Sequence, residues 1–310
     1  MSTNDFFKIY SLVSKAQKLE IIDATNKVCR FCNKSYPDVT FITTTHIIPE
    51  LLGANNYTSN DECDHCNNKF SGYESHLAAY FRPFLTMTGV KGKKGIPNFH
   101  SRTTERVEST RTKINHLNDG LKEVTTGDSN DFIINEENKT IAVTFRKPPH
   151  KPFLVYKSLV KIGLSILPIN KISSYRNVFE WLLNDKLFVD YFPLALTTIL
   201  TRNKYASPFA ELYFAVKNDY EEYFIPEATL IIGSGNLLIQ IYIPMPSDFN
   251  VEIIENMTPN MITYYDYKTF QLDNKSVHNM NKLDLRSRVS INCDETLYFS
   301  YDKIEPAPHN

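Results

Sequence analysis

The chain has 310 residues, 42% of them hydrophobic and 22% charged. That composition excludes a chain dominated by disorder, and the length suits two ordinary domains, since single cores stop growing at roughly 250–300 residues. The formal net charge of −1 excludes a global attraction to polyanions, so any nucleic-acid partner has to be held by a local patch. No apolar run reaches the ~18 residues that a membrane span needs, and the first residues show no basic stretch followed by an apolar one and a small-residue cleavage site. The expectation is a cytoplasmic protein without membrane contact.

In chain order, residues 5–22 place Phe6, Phe7, Tyr10, Leu12 and Val13 at spacings that predict an amphipathic helix. The tetrapeptide Cys29-Arg30-Phe31-Cys32 follows. Residues 39–48 (VTFITTTHII) are rich in β-branched side chains and predict a strand broken by Pro49 and Gly53, with His46 near its end. A second pair, Cys63 and Cys66, opens a stretch in which Phe70, Tyr73, Leu77 and Phe81 recur at three- and four-residue steps. That period predicts a helix stopped by Arg82-Pro83. Short β elements and one helix in under ~60 residues make little core, and a metal would explain how they stay folded.

Residues 91–113 carry Lys91, Lys93, Lys94, Arg102, Arg106, Arg111 and Lys113 against Glu105 and Glu108, with little apolar content. They mark the expected boundary: a first domain over 1–100, a basic and polar linker over 101–130, and a second domain over 131–310. There, residues 131–146 read as a hairpin, and 152–167 and 174–186 as helices, the first interrupted by Lys157 and Lys161. Residues 194–200, 209–217, 229–244 and 295–302 read as strands, with Gly-Ser-Gly-Asn at 233–236 as a hairpin turn. The expected fold class is α+β, a small metal-stabilised unit followed by a larger α+β domain with a mainly antiparallel sheet. Trp181 and the tyrosines of the second part read as core.

Four of the five cysteines lie in the two Cys-x-x-Cys pairs. In a reducing compartment such pairs bind metal or do redox work more often than they form disulfides. Four thiolates close a tetrahedral zinc site with no open position, and a two-residue gap lets both sulfurs of a pair face one ion. A thioredoxin-like role needs one pair and a βαβ context. Structural Zn²⁺ at Cys29, Cys32, Cys63 and Cys66 is therefore the expectation, with His65 exposed inside its knuckle and Cys293 a lone core thiol. His46 is left over, beside a helix N-terminus whose N–H groups and dipole suit a phosphate.

The series Cys-Arg-Phe-Cys, then Thr-His-Ile-Ile-Pro-Glu-Leu-Leu-Gly, then Asp-Glu-Cys-Asp-His-Cys-Asn-Asn-Lys-Phe, then Tyr-Glu-Ser-His-Leu resembles the HNH endonuclease family. The likeness is to the branch with zinc knuckles flanking a ββα-metal core, over roughly residues 29–95. The resemblance implies phosphodiester hydrolysis in DNA, with RNA also open, and His46 as the general base that activates water. Asn67 falls on the motif's last position and would hold a catalytic Mg²⁺ or Mn²⁺. The middle asparagine falls on Asn55, Asn56 or Asn60, with Asn60 nearest the usual place. Many family members place Asp or Glu just before the catalytic histidine, where this chain has Thr45; candidate replacements are Asp61, Glu62 and Glu74. Lys91, Lys93 and Lys94, with Lys69 on the helix, are the candidate phosphate contacts. Such nucleases are often effectors in bacterial defence or restriction. The second domain would choose when or where they cut, through an activating ligand or protein partner. The alternative is a zinc-stabilised nucleic-acid-binding module that has lost cleavage.

Overall fold

Two buried faces on one sheet organise the protein. In the computed structural model, residues 6–17, 27–102, 111–116, 122–125, 132–184, 193–200, 205–216, 225–245, 263–264, 279–301 and 303–304 are described. One helical turn, α1 (Phe6–Ile9), leads into β1 (Tyr10–Lys15). The cysteine-rich segment contributes β2 (Thr45–His46), β3 (Thr58–Ser59) and the long helix α2 (Asp64–Met87). Next come β4 (Phe99–Arg102), β5 (Arg111–His116) and β6 (Lys122–Thr125), which form a three-stranded antiparallel sheet in the stretch read from sequence as basic and polar. Arg106 lies outside the described residues. Then follow β7 (Phe132–Asn135), β8 (Thr140–Arg146), α3 (Pro152–Ser165) and α4 (Arg176–Leu183). The chain continues through β9 (Leu194–Ile199), β10 (Tyr205–Ala215), β11 (Ala228–Gly235), β12 (Leu237–Tyr242), β13 (Asn279–Asp284) and β14 (Asp294–Ser300).

The largest sheet is antiparallel throughout, in the order β1-β10-β11-β12-β9-β13. Leu212, Leu230, Ile232, Ile239 and Ile241 face one cluster, which also contains α3, α4, Phe70 of α2 and three of the four paired cysteines. Tyr213, Ile231, Leu238 and Tyr242 alternate with them and face a second cluster with Phe6, Tyr10 and Tyr264. Double coverage explains why β11 and β12 read as nearly continuous apolar runs rather than as alternating ones. The hairpin between them turns on Gly235, whose φ of 54° suits a residue without a Cβ. A smaller sheet, β14-β8-β7, meets α2 where the Lys147 ammonium sits 3.7 Å above the Tyr80 ring and 3.0 Å from Glu295. No helix among the described residues is long and apolar enough to cross a membrane.

The structure corrects four local expectations. Among the described residues of 5–22, only Phe6–Ile9 is helical, and Tyr10–Lys15 is a strand because the open edge of β10 offers it a ladder of unpaired backbone groups. Within 39–48, only Thr45–His46 pairs as strand. The Asp64 carboxylate accepts hydrogen bonds from the Ile42 and Thr43 N–H groups and the Thr40 hydroxyl, which holds that run as a loop on the start of α2. These bonds also keep the Asp64 carboxyl well below the usual range. Helix α2 runs through Pro83 to Met87, because Phe84, Leu85 and Met87 are buried and their burial offsets the ~3 kcal/mol that an internal proline costs. Cys293 is exposed, not a core thiol, since it directly precedes the edge strand β14, its carbonyl accepting from the Lys147 N–H.

Gly233 lies directly across the ladder from Phe209, and a Cβ there would overlap the Phe209 ring. Gly233→Ala should therefore lower stability by about 1–3 kcal/mol, read as a lower denaturation midpoint at unchanged slope.

Candidate metal centre and catalytic cleft

The first knuckle is a tight turn closed by a Val28–Ser35 bridge and by the Cys29 N–H on the Lys34 carbonyl, with Asn33 at a φ of 58°. The second begins α2, with Cys63 as its N-cap and Cys66 in the first turn. Cys29 Sγ stands 3.8 Å from Cys66 Sγ, and Cys32 Sγ 3.7 Å from Cys63 Sγ. All four ligand atoms lie within 4.8 Å of one another. Four sulfurs at the usual ~2.3 Å from one zinc would be spaced by about 3.8 Å, whereas a disulfide needs ~2.05 Å. The cluster therefore has the dimensions of a structural zinc site. Its thiols cannot all ionise unaided. The hydrogen bond between Cys29 and Cys66 draws Cys29 down and pushes Cys66 up, and burial raises Cys63. A dication resolves that conflict. His65 is exposed, as expected.

The tetrad, β2, β3 and α2 make a ββα unit that presents His46. Thr45 pairs with Ser59 and His46 with Thr58, and the Ile47 N–H extends the ladder to the Tyr57 carbonyl. Thr45 is buried, its hydroxyl donating to the Ser59 carbonyl at 3.1 Å. The His46 ring is half-buried, with Nε2 3.6 Å from Glu50 Oε1. Nδ1 is buried and has no hydrogen-bond partner among the described residues. The ring borders an open cleft of about 650 Å³ lined also by Thr44, Glu50, Asn55, Asn56, Thr58 and Lys93. Asn55 is engaged structurally, donating to the Ile48 and Gly53 carbonyls and accepting from Tyr57 N–H. Lys69, Lys91, Lys93 and Lys94 are exposed.

Of the residues expected to act in chemistry, His46 lines this cleft while Asn60, Asn67, Glu62 and Glu74 are not part of its wall. Asn67 lies in the first turn of α2, half-buried, its N–H on the Cys63 carbonyl. Asp61 is taken by Arg30 at 2.8 Å and by the Ser59 hydroxyl. Glu62 is 2% exposed and faces Lys161 of α3 at 3.2 Å, with Glu74 on the same ammonium at 3.7 Å. Burial pushes the Glu62 carboxyl up to about 7 against the pull of Lys161, and it raises Glu74 against the pull of Lys161 and His46. Among the described residues, the cysteine tetrad is the one group of three or more His, Cys, Asp or Glu with the spacing of a metal site. A hard cation held by one or two carboxylates and water needs no such group, and the Glu50 carboxylate stands beside His46 in the open cleft.

Residues 29–78 match the family model described as HNH endonuclease, and the rest of the chain is unrecognised. The matched segment spans the tetrad, His46 and α2 as far as Ala78. No curated protein and no solved structure matches the chain.

Sequence reasoning missed two residues at this site. Glu50 directly follows the Pro49 that breaks the predicted strand and was given no role, although its spacing of four from His46 was a usable signal. Lys161 looked like a flaw in an apolar helix, yet a lysine amid buried neighbours implies a partner.

Metal analysis of the purified chain should give about one zinc per molecule. Cys63→Ser should lose that zinc and unfold the segment around it, seen as lost protection of α2 amides from hydrogen exchange.

Proposed function

We propose that the His46 cleft hydrolyses phosphodiester bonds of DNA as an HNH-type endonuclease. The observation that carries this reading is a half-buried histidine at the end of a ββα hairpin, beside a carboxylate and a lysine in an open cleft, within the segment that matches the family. Lys93, with Lys91, Lys94 and Lys69, holds the backbone through its phosphates. His46 takes a proton from the attacking water as that water's oxygen bonds to phosphorus and the bond to the 3′ oxygen breaks. Glu50, 3.6 Å from Nε2, stabilises the imidazolium that results. Glu50 would, with water, hold a Mg²⁺ or Mn²⁺ ion, which would supply neutralisation of the charge developing at the phosphate, whereas Asn67 and Glu74 of α2, the ligands expected from sequence, lie outside the cleft wall. Asn60 would orient the hairpin loop. Residues 131–310 would govern when or where cutting occurs, in keeping with an effector of bacterial defence or restriction acting in the cytoplasm.

A second reading has its own observation. Thr45 stands where many family members carry a carboxylate, and its hydroxyl is spent on the Ser59 carbonyl. A chain lacking that group could keep the zinc fold and bind nucleic acid without cutting it.

Plasmid nicking with Mg²⁺ or Mn²⁺ separates the two. His46→Ala should cut roughly 10²–10⁴-fold more slowly at unchanged zinc content. Nicking that survives the substitution refutes the mechanism, and a wild-type chain inert on DNA and RNA with either ion favours the binding module. Lys93→Ala should weaken binding on all sequences alike and reduce the salt dependence by about one phosphate contact.

A further inference from the structure

We infer that Lys161 of α3 is a positioning residue for His46, so that residues outside the matched segment complete the nuclease site. This rests on the His46 reading above. Lys161 is 1% exposed on a helix whose residues are all buried except Leu154. Its ammonium donates to the His46 main-chain carbonyl at 2.7 Å and faces Glu62 at 3.2 Å and Glu74 at 3.7 Å. Every one of these partners belongs to the ββα unit.

The hairpin explains why such a contact is needed. Strands β2 and β3 pair over two residues each, too short a ladder to fix the backbone at a strand end. A second contact holds the far end of the same segment, where the buried Ser234 hydroxyl at the β11 turn donates to the Leu52 carbonyl. The segment from His46 to Leu52, which carries Glu50, is thus held at both ends by side chains of the unrecognised region. Buried ion pairs are poor stabilisers compared with apolar residues of the same volume. What three oxygen partners give an ammonium is one defined place, and through it His46 has one too.

Replacing Lys161 alone would strand the Glu62 carboxylate, so the test uses Lys161→Met with Glu62→Gln and takes Glu62→Gln alone as its reference. The double variant should bind one zinc and keep the KM for plasmid DNA, while kcat falls about 10²-fold below the reference, the scale of a misplaced catalytic group. Amides of residues 45–52 should exchange about tenfold faster while those of α2 keep their protection. A zinc-loaded double variant with the reference kcat and unchanged exchange overturns the inference. If the wild type cuts nothing, the nuclease reading fails on its own, and exchange over 45–52 still decides whether Lys161 places the segment. If the double variant does not fold, Ser234→Ala carries the test: faster exchange over 45–52 supports the inference, and unchanged exchange overturns it.

Discussion

Four sulfurs drawn within 4.8 Å of one another are the constraint on which the ββα unit depends. Its two strands are two residues long, and apart from α2 its buried hydrophobic side chains in the shared core include Phe31, Val39, Ile47, Ile48 and Leu52. A hairpin of that length does not hold in water. The second knuckle lies on the N-cap and first turn of α2, and the first knuckle lies in the loop before β2, so a shared ion ties the helix start to the chain entering the hairpin. Asp64, between the two cysteines of the second knuckle, adds three hydrogen bonds to residues 40–43 and sets the direction from which β2 approaches. The metal and this carboxylate together do what a larger core does elsewhere.

The unit is also docked, and by charge as much as by apolar contact. Arg30, inside the first knuckle, donates to the Leu164 carbonyl in the last turn of α3 and to the Leu167 carbonyl just beyond that helix. Arg176, at the start of α4, returns the arrangement by donating to the Arg30 and Phe31 carbonyls. Phe31 stacks edge-on against Phe70 and Phe179 between them. Breaking any of these interactions from one side leaves a buried donor or acceptor unpaired, which costs about 1–3 kcal/mol for each neutral group. The matched segment and the region beyond it therefore share one core.

How much of this was legible in the sequence follows from the range of each interaction. The tetrad, the ββα order and the histidine were readable because short spacing alone specifies a zinc knuckle and because the motif is local. The α+β class and the antiparallel sheet were readable from apolar runs and turn residues such as Gly235. Features set by distant partners were not. Tyr10–Lys15 is a strand because β10, some two hundred residues later, needs a neighbour, and nothing local in Phe6 to Val13 favours strand over helix. Lys157 and Lys161 interrupt an apolar pattern for reasons that lie elsewhere. Lys157 donates to the Trp181 and Leu182 carbonyls at the end of α4, and Lys161 to His46. A lysine recurring after four residues on a buried helix marks one face, but the sequence alone does not say what that face meets.

The position of the carboxylate bears most on chemistry. Thr45 points into the hairpin, bonded to Ser59, and a carboxylate there would lose that bond and enter a buried site. Glu50 stands on the other side of His46, in the one-turn helix that Pro49 begins, with its oxygen 3.6 Å from Nε2 and its side chain partly exposed to the cleft. An acid four residues after the histidine does not depend on the strand's alternation. It depends on the turn between Pro49 and Gly53 keeping its shape, and that turn ends where Ser234 holds the Leu52 carbonyl. Moving the acid from strand to turn thus transfers part of the site's geometry from the hairpin to the sheet beneath it. On the nuclease reading proposed above, the charge that Thr45 lacks would come from Glu50, at a position that the sheet beneath the turn helps to hold in place.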